Sequence, residues 1–262
     1  MPIASFASYL DKVALPLQTI RDAKGNTTDQ AGRMVSGWFG VLGGAVPTTP
    51  VAPDRSTTGA MGQQDAVGVQ RLAQAQVARG DGTLIVCDRL SHQSGLSGIV
   101  TTAQTTNLPT APLTRYTNGV GVLAALEIYV ALGAVQVGPT MEYTNQAGVG
   151  GRVSPAGFIG GSEHQSVRRF IAMPLQAGDT GVRSVESVTL SASTGSAGNF
   201  GVVLYRPLFP LLGASVVTGV GRTDAFLNLG GLCPVIEASA CLFYVAMGGL
   251  ALMLNELRFI GE

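Results

Sequence analysis

From Leu175 to Pro207 the chain reads LQAGDTGVRSVESVTLSASTGSAGNFGVVLYRP, which is a strand, a Gly/Ser-rich loop and a second strand. Val188, Leu190 and Ala192 alternate with Ser187, Thr189 and Ser191, the two-residue period of a strand with one face buried and one wet. Thr194, Gly195, Ser196, Ala197, Gly198 and Asn199 follow as a turn cluster, rich in residues that accept positive φ or bond their own backbone. Phe200, Val202 and Leu204 resume the alternation. Pro207 has no N–H to donate and is expected to end the ladder. A chain that repeats this design has to build sheets, and most of the sequence after residue 82 repeats it.

Further strands are predicted over 83–88, 98–102, 121–131, 134–144, 166–175, 182–192, 200–206, 236–246 and 250–260. Val122, Ala124, Leu126, Ile128 and Val130 form one face, with Glu127 on the other. Val135, Val137, Met141 and Tyr143 alternate with Gln136, Thr140 and Glu142, and Leu132-Gly133 is read as the turn of a hairpin joining the two runs. Gly248-Gly249 is read as a second hairpin turn. The apolar stretch from Leu208 to Pro234 is read as a crossover between sheets. Many short strands, separated by Gly, Asn and Pro turns without a helical period between them, predict a mainly β fold: an antiparallel sandwich or jelly roll over residues 83–262.

Residues 1–82 read differently, as an extended N-terminal arm with short helices. Phe6, Tyr9, Leu10 and Val13 share one side of a helix predicted over 3–14, and a second short helix is expected over 67–78. Pro47, Pro50 and Pro53, interspersed with threonines, make the segment between them extended and unpaired. A long irregular stretch is abnormal inside a compact domain. This one also carries Trp38, Phe39, Val41 and Leu42. Those four are the candidate contact residues, because left in water they form an apolar patch; the arm is expected to lie on its own domain or on a neighbour.

Charge is sparse, at 12% Asp, Glu, Lys and Arg, with 16 basic and 16 acidic residues cancelling. A balanced chain lacks the electrostatic footprint of a nucleic-acid binder, and so thin a charge suits a surface covered by neighbours. Lys12 and Lys24 are the only lysines; arginine elsewhere suits planar contacts with carboxylates at interfaces. No run reaches the roughly twenty apolar residues of a spanning helix, and Asp11, Lys12 and Pro16 break any signal-peptide core. No membrane partner and a cytosolic origin are therefore expected. Cys87, Cys233 and Cys241 have no metal-ligand spacing and read as buried thiols.

Catalytic chemistry is not legible. Ser91-His92-Gln93-Ser94-Gly95 lacks the Gly-x-Ser-x-Gly elbow and its following helix. Cys87, Asp88 and His92 have no second ligand pair. Glu163-His164 sits in a Gly-rich loop, and the Gly148–Arg152 and Gly157–Gly161 runs lack the Lys-Ser/Thr of a phosphate loop. Arg79-Gly80-Asp81 and the Asn26-Thr27-Thr28 sequon carry meaning only in an exported chain, and Arg168-Arg169 reads as an edge-strand or neighbour contact. No catalytic residue, cofactor or metal is expected, and the chain is read as a non-enzyme.

CDRLSHQSGLSGIVTTAQTTNLPT (Cys87–Thr110), TNQAGVGGR (Thr144–Arg152), MPLQAGDTGVRSVESVTLSASTGSAGNFGVVLYRPL (Met173–Leu208) and the ending from Ala240 to Glu262 resemble a family of tailed-bacteriophage virion structural proteins. The resemblance covers residues 83–262, and in that family an extended N-terminal segment precedes a β-rich domain. It implies a head cement or decoration protein. Such a protein is assembled in the host cytoplasm, seated on the major capsid protein lattice in the virion, and self-associated as a homotrimer by analogy. A tail, adaptor or fibre subunit and a carbohydrate-binding sandwich are the alternatives.

Overall fold

A computed structural model describes residues 18–21, 34–37, 46–55, 57, 70–78, 83–212, 220–224, 235–247 and 253–261. The chain divides into two compact units. Unit A comprises Met1–Phe39, Arg55–Cys87 and Leu208–Glu262; unit B comprises Gly40–Asp54 and Asp88–Pro207. The architecture is antiparallel β, as the alternation predicts; the one described helix is the single turn α1 (Gly161–His164).

In unit A, β3 (Gln70–Ala78) lies between β14 (Met253–Gly261) and β11 (Val220–Asp224), and β1 (Gln18–Arg21) adds to the far side of β14. The two-residue β12 (Val235–Ile236) pairs with the start of β3. β2 (Met34–Gly37) pairs with β13 (Leu242–Met247). Ile236, Ala240 and the run from Cys241 to Val245 are buried, as predicted for the Cys241 thiol. The helix expected over 67–78 is instead the strand β3. Alanine and glutamine are good helix formers, yet β3 is hydrogen-bonded on both sides, and such pairing overrides local propensity. The second expected hairpin is also replaced: β13 pairs with β2, whereas β14 pairs with β1 and β3. Its turn, Gly248-Gly249, lies outside the described residues, as does the helix expected over 3–14.

Unit B is a sandwich. One layer holds the unit B parts of β4 (Thr83–His92) and β10 (Asn199–Leu212), then β5 (Leu123–Val130) and β8 (Phe170–Ala172), in the order β4-β10-β5-β8. The other holds β7 (Arg152–Val153), β6 (Pro139–Asn145) and β9 (Val182–Leu190) in that order. Leu90, Ala124, Leu126, Ile128, Phe200, Val202 and Leu204 meet Met141, Tyr143, Val182, Val185, Val188 and Leu190 in one apolar cluster. Full burial of a side chain of this size contributes about 1.5–3 kcal/mol.

This layering corrects the hairpin read at Leu132-Gly133. β5 pairs with β10 and β8, while β6 pairs with β7 and β9. The two runs that looked like hairpin partners face each other across the core instead. The opening strand–loop–strand is an arch of the same kind, since β9 and β10 belong to different layers. β10 also runs through Pro207 to Leu212; proline lacks a donor, but its fixed φ suits an extended strand. The burial phase of β9 slips at a bulge, where Glu142 faces Ser187 and Tyr143 faces Val185.

Two glycines mark where backbones touch. A Cβ on Gly201 would lie 1.6 Å from the Gln93 carbonyl oxygen, and one on Gly133 would lie 1.8 Å from that of Thr194. The strand expected over 98–102 is a loop. Gln104 clasps it, accepting the Ser97 N–H at 2.7 Å and donating to the carbonyls of Ser97 at 3.1 Å and Val100 at 3.3 Å.

Candidate functional site

The stretch from Asp88 to Ser94 is polar except for Leu90, and all of it is buried. Arg115 holds Asp88 in a fork, Nε to Oδ2 and Nη2 to Oδ1, both at 2.8 Å. The same Nη2 donates to the carbonyls of Pro53 and Arg89, each at 3.0 Å. Glu127, on the non-core face of β5 as its alternation predicts, accepts from Arg89 at 2.6 and 3.4 Å and from the Tyr129 hydroxyl at 3.0 Å. Burial, and then the Glu127 carboxylate, push the Tyr129 hydroxyl well above its usual range. His92 is lowered to about 3, first by burial and then by Arg89, with Glu127 opposing. These groups are shielded and matched to one another.

The alternation of β4 separates some of the residues that stand close in the sequence. Cys87 points to the opposite face of β4 from Asp88 and His92, and Ser91 points away from His92. Among the described residues no cluster of three His, Cys, Asp or Glu has metal-binding geometry. Arg169 is interior at 2% exposure, whereas Arg168 is half-buried at φ 72°.

Residues 46–53 are not unpaired, contrary to the expectation from their prolines. Val51 exchanges two backbone bonds with His92, Ser94 Oγ donates to the Val46 carbonyl, and the Ser94 N–H donates to that of Pro47. With Arg115 on Pro53, this part of the predicted arm lies on unit B itself. Trp38, Phe39, Val41 and Leu42, the predicted contact residues, lie outside the described residues, as do Arg79-Gly80-Asp81 and the Asn26 sequon.

At the Asn145 end of β6, Asp179 gathers the Tyr143 hydroxyl at 2.5 Å, Asn145 Nδ2 at 2.7 Å and Arg152 Nε at 3.0 Å. The Tyr143 bond does most to hold its carboxyl below the ordinary range, aided by Asn145 and Arg152 against partial burial. Tyr143 in turn accepts the Gln176 N–H at 2.8 Å. The Gly148–Arg152 run is the turn beside this node, with Asn145 Oδ1 accepting the N–H groups of Ala147 and Val149.

The other end of the sandwich exposes apolar surface. Thr194 is its hub: its N–H donates to Gly98 at 2.8 Å, its carbonyl accepts from Val135 at 3.1 Å, and its hydroxyl accepts from Gly133 at 3.1 Å. Leu132 donates to the Gln165 carbonyl and Gly161 to that of Gly133. Four loops, 97–100, 130–135, 158–168 and 193–199, are thereby tied together. They carry Ile99, Val100, Val130, Val135 and Val167, which are 37–53% exposed, and Phe158 at 58%. Phe158 is stacked on His164, with ring centroids 6.5 Å apart. Val130 and Val135, both read from the sequence as inward, are 50% and 53% exposed, whereas Ile128, Leu132 and Val137 around them are buried in the core cluster. The alternation marked both as apolar but not where the layers stop.

No known protein family matches the chain, and no curated protein matches it. Among solved structures it is similar to the infectious bursal disease virus VP2 subviral particle at 9% identity. That alignment covers 98% of this chain and 86% of that one, with a TM-score of 0.19. T=1 particles derived from the same virus align at 9% identity over 91% of this chain and 80% of theirs, with a TM-score of 0.18. Scores this low do not establish a shared fold.

Proposed function

We propose that this chain is a structural protein of a virion, a head cement or decoration protein that binds and stabilises the major capsid protein lattice of a tailed phage. The observation that carries the reading is the partition of polarity in unit B. Its strong ion pairs are spent inside, at Arg89–Glu127 and Arg115–Asp88, while large apolar side chains face outward from bonded loops. A subunit covered by neighbours tolerates this surface; a freely diffusing protein usually carries more charge there. The resemblance of residues 83–262 to phage virion proteins supports the same reading. Its role is mechanical rather than catalytic, its partners are the capsid protein and further copies of itself, a trimer by analogy, and Trp38, Phe39, Val41 and Leu42 are arm contacts.

Stoichiometry in purified particles tests this. Hundreds of copies per particle, measured against the major capsid protein on a quantified gel, are expected. About a dozen or fewer places the chain in the tail or at the portal vertex, and none removes the virion role.

A further inference from the structure

We infer that the end of unit B around Arg183 and Arg206 is a docking surface for an acidic peptide segment of a partner protein. Three loops meet there. Gly121 donates to the Thr180 carbonyl and Gln146 to that of Gly181, each at 3.0 Å, while Gln146 Oε1 accepts the N–H groups of Thr180 at 3.0 Å and Gly181 at 3.2 Å. Two guanidiniums flank the 116–121 turn. Arg183, which is exposed, donates from Nε at 3.1 Å and from Nη2 at 2.7 Å to the Gln146 carbonyl. Arg206, half-buried, donates from Nη1 to the Val120 carbonyl at 2.5 Å and lies over the Tyr116 ring, 4.4 Å from its centroid. A Cβ on Gly119 would lie 2.8 Å from Arg183 Cγ, and one on Gly121 would lie 3.2 Å from Arg206 Nη1. Both side chains are thus laid against the same turn.

Charge selects the occupant. Backbone carbonyls orient the two guanidiniums but do not neutralise them, and neither forms an ion pair among the described residues. The neighbouring carboxylates are engaged elsewhere, Asp179 by Arg152, Tyr143 and Asn145, and Glu186 by the hydroxyls of Thr144 and Ser184. This end therefore holds two positive charges with further N–H groups to donate, and carboxylates match them in charge and geometry. Val120 and Val149, 47% and 53% exposed, stand in the same loops and favour a peptide over a nucleic acid. A phosphate backbone brings no apolar side chain to cover them, and two cations release too few counterions to hold it. Docking orders little, because the loops and both guanidiniums are already bonded, and arginine with tyrosine is the composition of strong interface contacts.

The inference names a partner's chemistry and stands without the virion reading, whose test is copy number, so the two can fail separately. The probe is a labelled peptide of Glu-Leu-Glu-Gly repeats, titrated with purified full-length chain and followed by fluorescence anisotropy. The same peptide with lysine in place of glutamate and a single-stranded DNA oligonucleotide are run beside it. Saturable binding of the acidic peptide is expected, weaker as salt is raised and tighter than that of either control. Arg183→Gln and Arg206→Gln are each expected to weaken it at least about tenfold, and Val149→Glu, which sets a carboxylate in the patch, is expected to weaken it as well. Near-UV circular dichroism checks that each variant keeps its fold; if Arg206→Gln misfolds, Arg183→Gln and Val149→Glu decide. An acidic peptide that does not bind, binding that these variants leave unchanged, or DNA bound as tightly as the peptide overturns the inference.

Discussion

Replacing Glu127 by glutamine is the sharpest test of how unit B is held. Arg89 and Glu127 are 0% and 2% exposed and 2.6 Å apart, so neither charge is shared with water. Glutamine keeps the shape and one acceptor but removes the charge that the buried Arg89 guanidinium is bonded to. Breaking a buried pair from one side costs about 3–5 kcal/mol. For a unit of this size that lowers the melting temperature by roughly 10–18 °C. Urea unfolding followed by near-UV circular dichroism reads it, since four of the six tyrosines, Tyr116, Tyr129, Tyr143 and Tyr205, belong to unit B. The companion variant Arg89→Met, Glu127→Leu, Tyr129→Phe removes both charges and the hydroxyl that depends on them. It is expected to be as stable as the wild type or more so, since the pair's attraction mainly offsets its own desolvation. A loss below about 1 kcal/mol for Glu127→Gln, the value of an exposed pair, refutes the reasoning.

Acid is expected to act through His92. Its folded value of about 3 lies below the unfolded 6.5, so between those limits the unfolded chain binds the extra proton. Stability then falls by about 1.4 kcal/mol per unit as the pH drops from 6.5 toward 3; unfolding curves that stay flat across this window, or a His92→Leu variant with the same slope, count against it. Gly133→Ala forces a Cβ into the Thr194 carbonyl and is expected to cost about 3 kcal/mol or more, seen as a lower urea midpoint. Tyr143→Phe removes the hydroxyl that the Gln176 amide donates to, so hydrogen exchange at that amide accelerates while β10 amides keep their protection. Thr194→Val strips the acceptor from the Gly133 N–H and is expected to cost about 1–3 kcal/mol, seen as a lower urea midpoint.

The strand content was legible because alternation is a local property. Phe200, Val202 and Leu204 are buried as their period requires, and Glu127 faces away from that core. Pairing was not legible, since β5 and β6 look like a hairpin to any reading that sees only the chain between them. Nothing in Leu132-Gly133 announces that the two runs enter different layers. β3 misled for another reason: its alanines and glutamines favour a helix when isolated, and only the distant β14 and β11 make it a strand. The buried pairs were equally hidden. Arg89 and Glu127 are thirty-eight residues apart, and no local pattern distinguishes a guanidinium that finds a carboxylate from one that meets water. Pro47 to Pro53 read as unpaired because proline has no donor, yet the carbonyls of Pro47 and Pro53 and both backbone groups of Val51 are used.

The strand order β1-β14-β3-β11 in unit A has a consequence for synthesis. The ribosome makes β1 and β3 early, but the strand that lies between them, β14, is the last of the described strands. Until Met253–Gly261 has left the exit tunnel, β1 has no neighbour in that sheet among the described residues and β3 has one side open. The residues of unit B end at Pro207, so all of them are made while translation continues. Nascent chains stalled after residue 207 plus a tunnel's length should therefore resist protease over unit B and remain open to it over β3. Folding of unit A waits for β14, and until then an unfinished sheet edge stands exposed to whatever other strands the crowded cell presents.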